Sequence, residues 1–386
     1  MGIKCCSPAG YSLSRFIWLA LILVGAMTAL NFQERVRVLA EASKYDTCNT
    51  VGICRSFGPD GRCISLYKTL ISNSCTGECT YCPNRCERKT PRASLSKAEI
   101  KGITRKLYRA NVIEGLFLSS GIRGDVDSVT EFQIEVAKEL RAEGFRGYLH
   151  IRLMPGVKKD DVMEISRYAD KFGVNVESVD RTHYSELCPN FDYGIDAVRR
   201  MRYTEEAIKK ERKRGHIVGG NDTQFVVGAA GETDWEYIKT CNSFMEKFSM
   251  RKPFFMSFSP VKKTPLEKEA GSPKWREHRL YQSWFLLKEY GYRVKEFKEV
   301  LDGGFLGNTD PKVLLAGDLT VDVNSAPLEE LLRVPGIGPL SAYRIMNSRP
   351  IRNYGELKNV GVVLKRAAPY VEVNGARQER LGRWLA

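Results

Sequence analysis

The chain has 386 residues, with 60 Lys+Arg against 46 Asp+Glu and a formal net charge of +14. Hydrophobic residues at 43% and charged residues at 27% exclude a disordered chain, a collagen-like fibre and a polytopic membrane protein. The length suits one large domain of roughly 250 residues plus a smaller one, the excess of base points to nucleic acid or another anionic surface, and eleven unevenly clustered Cys suit metal ligation better than a disulfide scaffold.

Residues 16–30 (FIWLALILVGAMTAL) form an almost unbroken apolar run after Lys4 and Arg15. The run is short against the about 20 residues of a spanning helix and matches a signal-peptide apolar region. A signal peptide, a marginal anchor, and upstream sequence translated before a start at Met27 are the open readings. The reducing compartment argued below favours the last.

Residues 31–44 read as a helix, followed by a loop region with Gly and Cys to about residue 62. Residues 64–71 read as a buried strand, and a Cys-rich loop comes straight after it. Then helices and strands alternate: helix 95–109, strand 114–118, helix 128–142, strand 148–153, helix 159–172, strand 174–179, helix 195–214, strand 223–227, helix 233–248, strand 254–258, helix 273–290. Such alternation indicates βαβ units and a parallel sheet. About six units fall short of a full eightfold barrel. The expected fold is therefore α/β, a partial (β/α)6 TIM-like barrel over residues 31–300, with a doubly wound sheet as runner-up. Either fold places chemistry at the C-terminal ends of the strands. The alternation stops after about residue 295, and a small all-α segment follows over 318–386.

The strongest chemical signal is Cys75-Thr-Gly-Glu-Cys79-Thr-Tyr-Cys82. Tetrahedral zinc wants a fourth ligand. None of the four His pairs with another at ligand spacing, although Cys86 is available. Iron–sulfur clusters are held by thiolates at such short spacings, and three ligands leave one iron of a [4Fe–4S] cluster open. Buried structural thiols fit a polar, Gly-containing loop poorly, whereas Cys188 and Cys241 read as ordinary buried thiols.

The CxxxCxxC spacing, with Tyr81 before the last Cys and a strand before the first, resembles the radical S-adenosylmethionine superfamily. The resemblance implies that Cys75, Cys79 and Cys82 ligate a [4Fe–4S] cluster and that S-adenosylmethionine occupies its fourth iron. A 5′-deoxyadenosyl radical then abstracts hydrogen from substrate, with the electron coming from a donor such as flavodoxin or ferredoxin. It also implies that Tyr81 packs near the adenine. The family's Gly-Gly-Glu-type contact to the methionine amino group falls at Ser119, Ser120 and Gly121, where the acidic residue is missing. Glu177 falls where the family meets the ribose. Residues 226–231 (VVGAAG) end a strand in small residues that permit close approach of a flat ligand.

Residues 322–346 (DVNSAPLEELLRVPGIGPLSAYRIM) read as two helices about a tight hairpin, Pro335-Gly336-Ile337-Gly338-Pro339, with Asn324 or Ser325 as cap. Amides at the start of the second helix suit a phosphate oxygen. The pattern resembles a helix-hairpin-helix DNA-binding motif, which implies that Pro335, Gly336, Ile337 and Gly338 grip the DNA backbone. Residues 360–362 (VGV) echo the hairpin in a degenerate second copy. Further cations lie between Arg199 and Arg214 and at Arg85, Arg88, Lys89 and Arg92. Bordering a barrel mouth, they would hold phosphates.

Together these features resemble a bacterial group of DNA modification or repair radical proteins. The expectation is a cytoplasmic, non-membrane enzyme that abstracts hydrogen from a base or sugar in DNA. The alternatives are an RNA- or tRNA-modifying radical enzyme and a non-catalytic iron–sulfur DNA-binding protein.

Overall fold

The computed structural model describes residues 30–45, 51–57, 62–215 and 219–377. Apart from Leu30, the N-terminal apolar run lies outside the described residues. Among the described residues no helix is long and apolar enough to cross a membrane.

Two compact units divide the chain: Gly2–Glu232 with Ser243–Pro273, and Thr233–Asn242 with Lys274–Ala386. In the first, helix α1 (Phe32–Ala42) precedes β1 (Ile53–Phe57), which pairs antiparallel with β2 (Cys63–Leu70). From β2 on, the strands β3 (Gly115–Ser119), β4 (Tyr148–Leu153), β5 (Lys171–Val174), β6 (Asn221–Val227) and β7 (Met250–Ser257) pair in parallel in strict chain order. The crossovers carry α2 (Lys97–Arg109), α3 (Val126–Ala142), α4 (Lys159–Ile165), α5 (Arg181–Leu187), α6 (Arg199–Lys213) and α7 (Asp234–Phe248), whose residues up to Asn242 fall in the second unit.

The order never reverses. Right-handed crossovers that always advance in one direction put every helix on the same face of the sheet. A doubly wound sheet needs a reversal, so the runner-up is excluded and six parallel strands form a partial TIM-like barrel. On the helix-facing side, Leu116, Leu118, Leu149, Ile151, Leu153 and Phe172 join Ile100, Val136, Leu140 and Ile165 in one core. Strand alternation sends His150, Arg152, Lys171 and Asp222 to the other face, where all are buried.

Three elements differ from the sequence expectation. The helix expected over 159–172 stops at Ile165, and the strand expected at 174–179 is β5, Lys171–Val174. A lysine at the strand start disguises it, because its ammonium is buried 3.1 Å from Asp222. Beyond Val174 the chain leaves the ladder and keeps a single bridge, Glu177 to Phe225. The edge strand β1 lies where only loop was expected. Five residues, ICRSF, carry too little pattern to reveal it.

The second unit holds α8 (Lys274–Glu289), α9 (Val294–Phe297), α10 (Pro311–Ala316), α11 (Leu328–Arg333), α12 (Pro339–Asn347), α13 (Tyr354–Asn359) and α14 (Leu364–Ala367). The C-terminal segment is not all-α. Strands β8 (Val321–Asp322), β9 (Val371–Val373) and β10 (Ala376–Arg377) form a three-stranded sheet, each strand too short to leave a period-2 signature. Nor does Asn324 or Ser325 cap α11. Asn324 exchanges two hydrogen bonds with the Ile351 backbone, and Ser325 donates to Asp322.

Candidate active site and hairpin segment

The cysteine loop leaves the C-terminal end of β2 and is tied at both of its own ends. Asn73 donates to Pro91 and accepts from the Ala93 amide at 2.7 Å. The Arg92 guanidinium donates to the carbonyls of Asn73, Asn84, Arg85 and Arg88. Arg88 donates to Pro83 and Lys262. These two cations therefore satisfy loop carbonyls and are not free for a phosphate, contrary to the expectation from charge. Lys89 is exposed.

Gly121 lets the loop close onto β3. Its amide donates to Ser72, and a Cβ there would meet the Ser74 carbonyl oxygen at 2.5 Å and the Cys75 Cβ at 3.1 Å. Ser119 ends β3 and is buried, and the Ser120 hydroxyl donates to the Gly121 carbonyl at 2.7 Å. The loop also docks on the end of α5 and the segment after it. Glu78 N–H donates to Asn190 at 2.8 Å, and Thr80 N–H to Leu187 at 2.9 Å.

The three thiols keep distinct company. Cys75 Sγ accepts from the amides of Gly77 (3.3 Å) and Ile122 (3.4 Å), and Cys82 Sγ accepts from Asn84 N–H at 3.4 Å. Cys188, expected to be an ordinary buried thiol, is buried, and Cys79 together with burial pushes it well above the ordinary range. Burial pushes the Cys75 and Cys82 thiols up, Cys82 well above the ordinary range. Burial and then Glu177 push up the half-buried Tyr81 phenol. Metal ligation has to displace such protons.

Glu177, at the same mouth, sits at φ 53, in the left-handed region that a non-glycine residue seldom adopts. Its amide donates to Gln224 and its carbonyl accepts from Val226, so the sheet holds the strained turn in place. Two residues here escaped the sequence reading. Asn175 Oδ1 is buried without a hydrogen-bond partner among the described residues. Glu232 is fully buried and accepts from the Ser178 hydroxyl and the Ala230 amide. Nothing local marked either of them.

Residues 69–244 match the family model described as the Radical SAM superfamily. They form a radical S-adenosylmethionine domain. The cofactors of that family are a [4Fe–4S] cluster and S-adenosylmethionine. No curated protein matches the chain. Among solved structures, the chain is similar to HydG, a maturase of the [FeFe]-hydrogenase, at 14% identity over 57% of this chain and 48% of that one, with a TM-score of 0.46. HydG from Carboxydothermus hydrogenoformans gives 14% over 57% and 50%, with a TM-score of 0.44. Methylornithine synthase (PylB) gives 15% over 84% and 80%, with a TM-score of 0.48. The chain spans about half the length of the HydG structures it matches. The radical S-adenosylmethionine domain thus contains the whole cysteine loop, Glu177 and Cys188.

The second unit carries a repeated turn. Gly336, between α11 and α12, has φ 88, and Gly361, between α13 and α14, has φ 89. Ile337 and Val362 follow them into the core, and Ala342 and Ala367, each six residues on, are fully buried. The turns pack on each other: Val363 N–H donates to Gly336 at 3.0 Å, and the Ser341 hydroxyl to Gly361 at 2.8 Å. Lys312 supports the first from behind, donating to the Ile337 carbonyl at 2.6 Å.

Proposed function

We propose that Cys75, Cys79 and Cys82 ligate the [4Fe–4S] cluster and that this radical S-adenosylmethionine enzyme acts on DNA, in modification or repair. Three thiols on one loop, two of them already accepting amide N–H bonds, fit a cluster with one open iron. When bound, the cluster and S-adenosylmethionine supply a hydrogen-abstracting radical. The chain's own part is to orient and to exclude water. Tyr81 is assigned to the adenine, Ser119, Ser120 and Gly121 to the methionine end, and Glu177 with Asn175 to the ribose. The one electron needed comes from an external reductant such as a flavodoxin or ferredoxin.

The DNA assignment rests on the repeated glycine turn, read as two helix-hairpin-helix copies within residues 318–386. Pro335, Gly336, Ile337 and Gly338 form the first hairpin. The first amides of α12 have no intrahelical partner and suit a phosphate oxygen. An oxygen-sensitive cluster working on DNA belongs in the cytoplasm.

Anaerobic reconstitution tests the cluster assignment. Wild type should hold about four iron per chain and cleave S-adenosylmethionine on reduction, and Cys79→Ala should do neither. Cleavage by that variant would refute the ligand set. Mass spectrometry of DNA incubated with reduced enzyme should reveal a modified base or sugar.

A further inference from the structure

Helix α12 buries Ser341, Ala342 and Ile345. Leu340 and Tyr343, three residues apart, share the opposite face. Leu340 is 49% exposed and Tyr343 62%, and Val363, on the second glycine turn, is 50% exposed. Arg344 follows Tyr343 and reaches that turn: its Nη1 lies 3.4 Å from where a Cβ on Gly361 would sit. The surroundings are basic. No acidic residue stands from Leu331 to Gly355, or from Leu357 to Val371. Glu356, between these stretches, accepts from the Arg352 amide at 2.8 Å and from the Asn353 side chain. Arg344, Arg352, Lys358 and Lys365 are exposed.

Exposed apolar and aromatic side chains set among cations with no acid between them complement a polyanion that also offers flat apolar faces. Cations and amides take the phosphates, and a ring takes a base. An intact duplex presents only base edges in its grooves, so a ring finds a base face only where the stack is opened. We infer that Tyr343 is a stacking platform for an unpaired base, and that the hairpins hold DNA with an opened stack more tightly than intact duplex. This rests on the DNA reading proposed above. Leu340, on the same face, is an apolar wedge of the kind that keeps a base step unstacked. The preference suits an enzyme whose target has to leave the duplex stack before it can be reached.

The test uses the full chain and two labelled probes: a short intact duplex, and the same duplex with a single unpaired adenine bulged from it. Wild type should bind the bulged probe about tenfold more tightly in anisotropy titrations. Tyr343→Ala should lose that preference and keep the wild-type affinity for the intact duplex. Tyr343→Phe, which keeps the ring, should retain the preference. With 2-aminopurine as the bulged base, wild type and Tyr343→Phe should quench its fluorescence by stacking, and Tyr343→Ala should not. Wild type without the preference, or a preference that survives Tyr343→Ala, would overturn the inference while leaving the hairpin grip intact. So would an equal loss of affinity for both probes in Tyr343→Ala, because Tyr343 would then support the hairpin and not a base. A dimer in light scattering that Tyr343→Ala converts to monomer also overturns it, since a second copy of the chain would cover this face. Wild type that binds neither probe would instead refute the DNA reading itself.

Discussion

Asp222 shows how much single residues inside the barrel carry. Its carboxylate is fully buried and lies 3.0 Å from Arg152, 3.1 Å from Lys171 and 3.1 Å from His150. Burial alone would push the Asp222 carboxyl up. Arg152, Lys171 and His150 outweigh it and hold the carboxyl well below the ordinary range. Burial also drives the His150 ring down to about 4, so it is neutral at pH 7. Asp222→Asn would leave two buried cations without their counter-charge, and it should destabilise the fold by about 3–5 kcal/mol in chemical denaturation. The cysteine triad was legible in the sequence because its three members lie within eight residues. Asp222 was not, because its partners Arg152, Lys171 and His150 lie on other strands. The two hairpin glycines also separate at this scale. A Cβ on Gly336 would meet the Val363 carbonyl oxygen at 2.6 Å, whereas one on Gly338 meets only the Tyr290 hydroxyl, at 3.5 Å. Gly336→Ala should therefore cost stability, by about 1–3 kcal/mol. Gly338→Ala should keep the wild-type thermal midpoint while weakening duplex binding, by fluorescence anisotropy, to a similar degree for every sequence. Unchanged affinity would remove the hairpin as the DNA contact.

At the scale of elements, the order of strands was legible while some of their boundaries were not. Helices α2 and α3 each bury a mainly apolar stripe, which announces them. Strand β5 opens on a buried lysine and ends three residues before the strained Glu177, so its apolar alternation ran on past the true ladder. The turn between α11 and α12 depends on α10 in a way that no local pattern reveals. Lys312 of α10 donates to Ile337, lies 4.3 Å from the Tyr290 ring centroid and is 7% exposed. Burial, with Arg366 adding to it, drives its ammonium down to about 7, and Asp310 opposes the shift. The unfolded chain keeps that proton up to its ordinary range near 10. Between about pH 7 and pH 10 the unfolded state thus binds more protons, and stability must rise with pH. The gain should be on the order of a few kcal/mol across that window. Lys312→Met should flatten this rise in thermal melts; an equally steep rise in the variant would mean that another group carries it.

At the scale of the whole molecule, several of the cations behind the +14 are already engaged within the fold. Helix α6 leaves the C-terminal end of β5 and runs toward the start of β6. Its exposed cations Lys209, Lys210, Arg212 and Lys213 therefore crowd the end opposite the cysteine loop. Arg200 spends its donors on the Gly156, Val157 and Ile195 carbonyls, and Arg214 pairs with Glu211 at 2.8 Å. Around the hairpins Arg352 and Lys358 are exposed. Arg344 reaches the second turn, Lys365 is exposed beside it, and Arg366 is paired with Asp310. Backbone amides release no counterions when they take a phosphate; only lysine and arginine do. If the hairpins are the grip and Arg344 and Lys365 its charges, the affinity for duplex DNA should fall only gently with salt. The slope of log K against log salt should be about −2. Arg344→Ala and Lys365→Ala should each reduce that slope by about one, whatever the sequence of the duplex. A slope steeper than about −5 would mean a broad basic surface, with α6 the leading element. Competition settles the polymer: duplex DNA should displace a labelled duplex better than tRNA does. If tRNA wins, the substrate is RNA, and the paired turns are serving a different backbone.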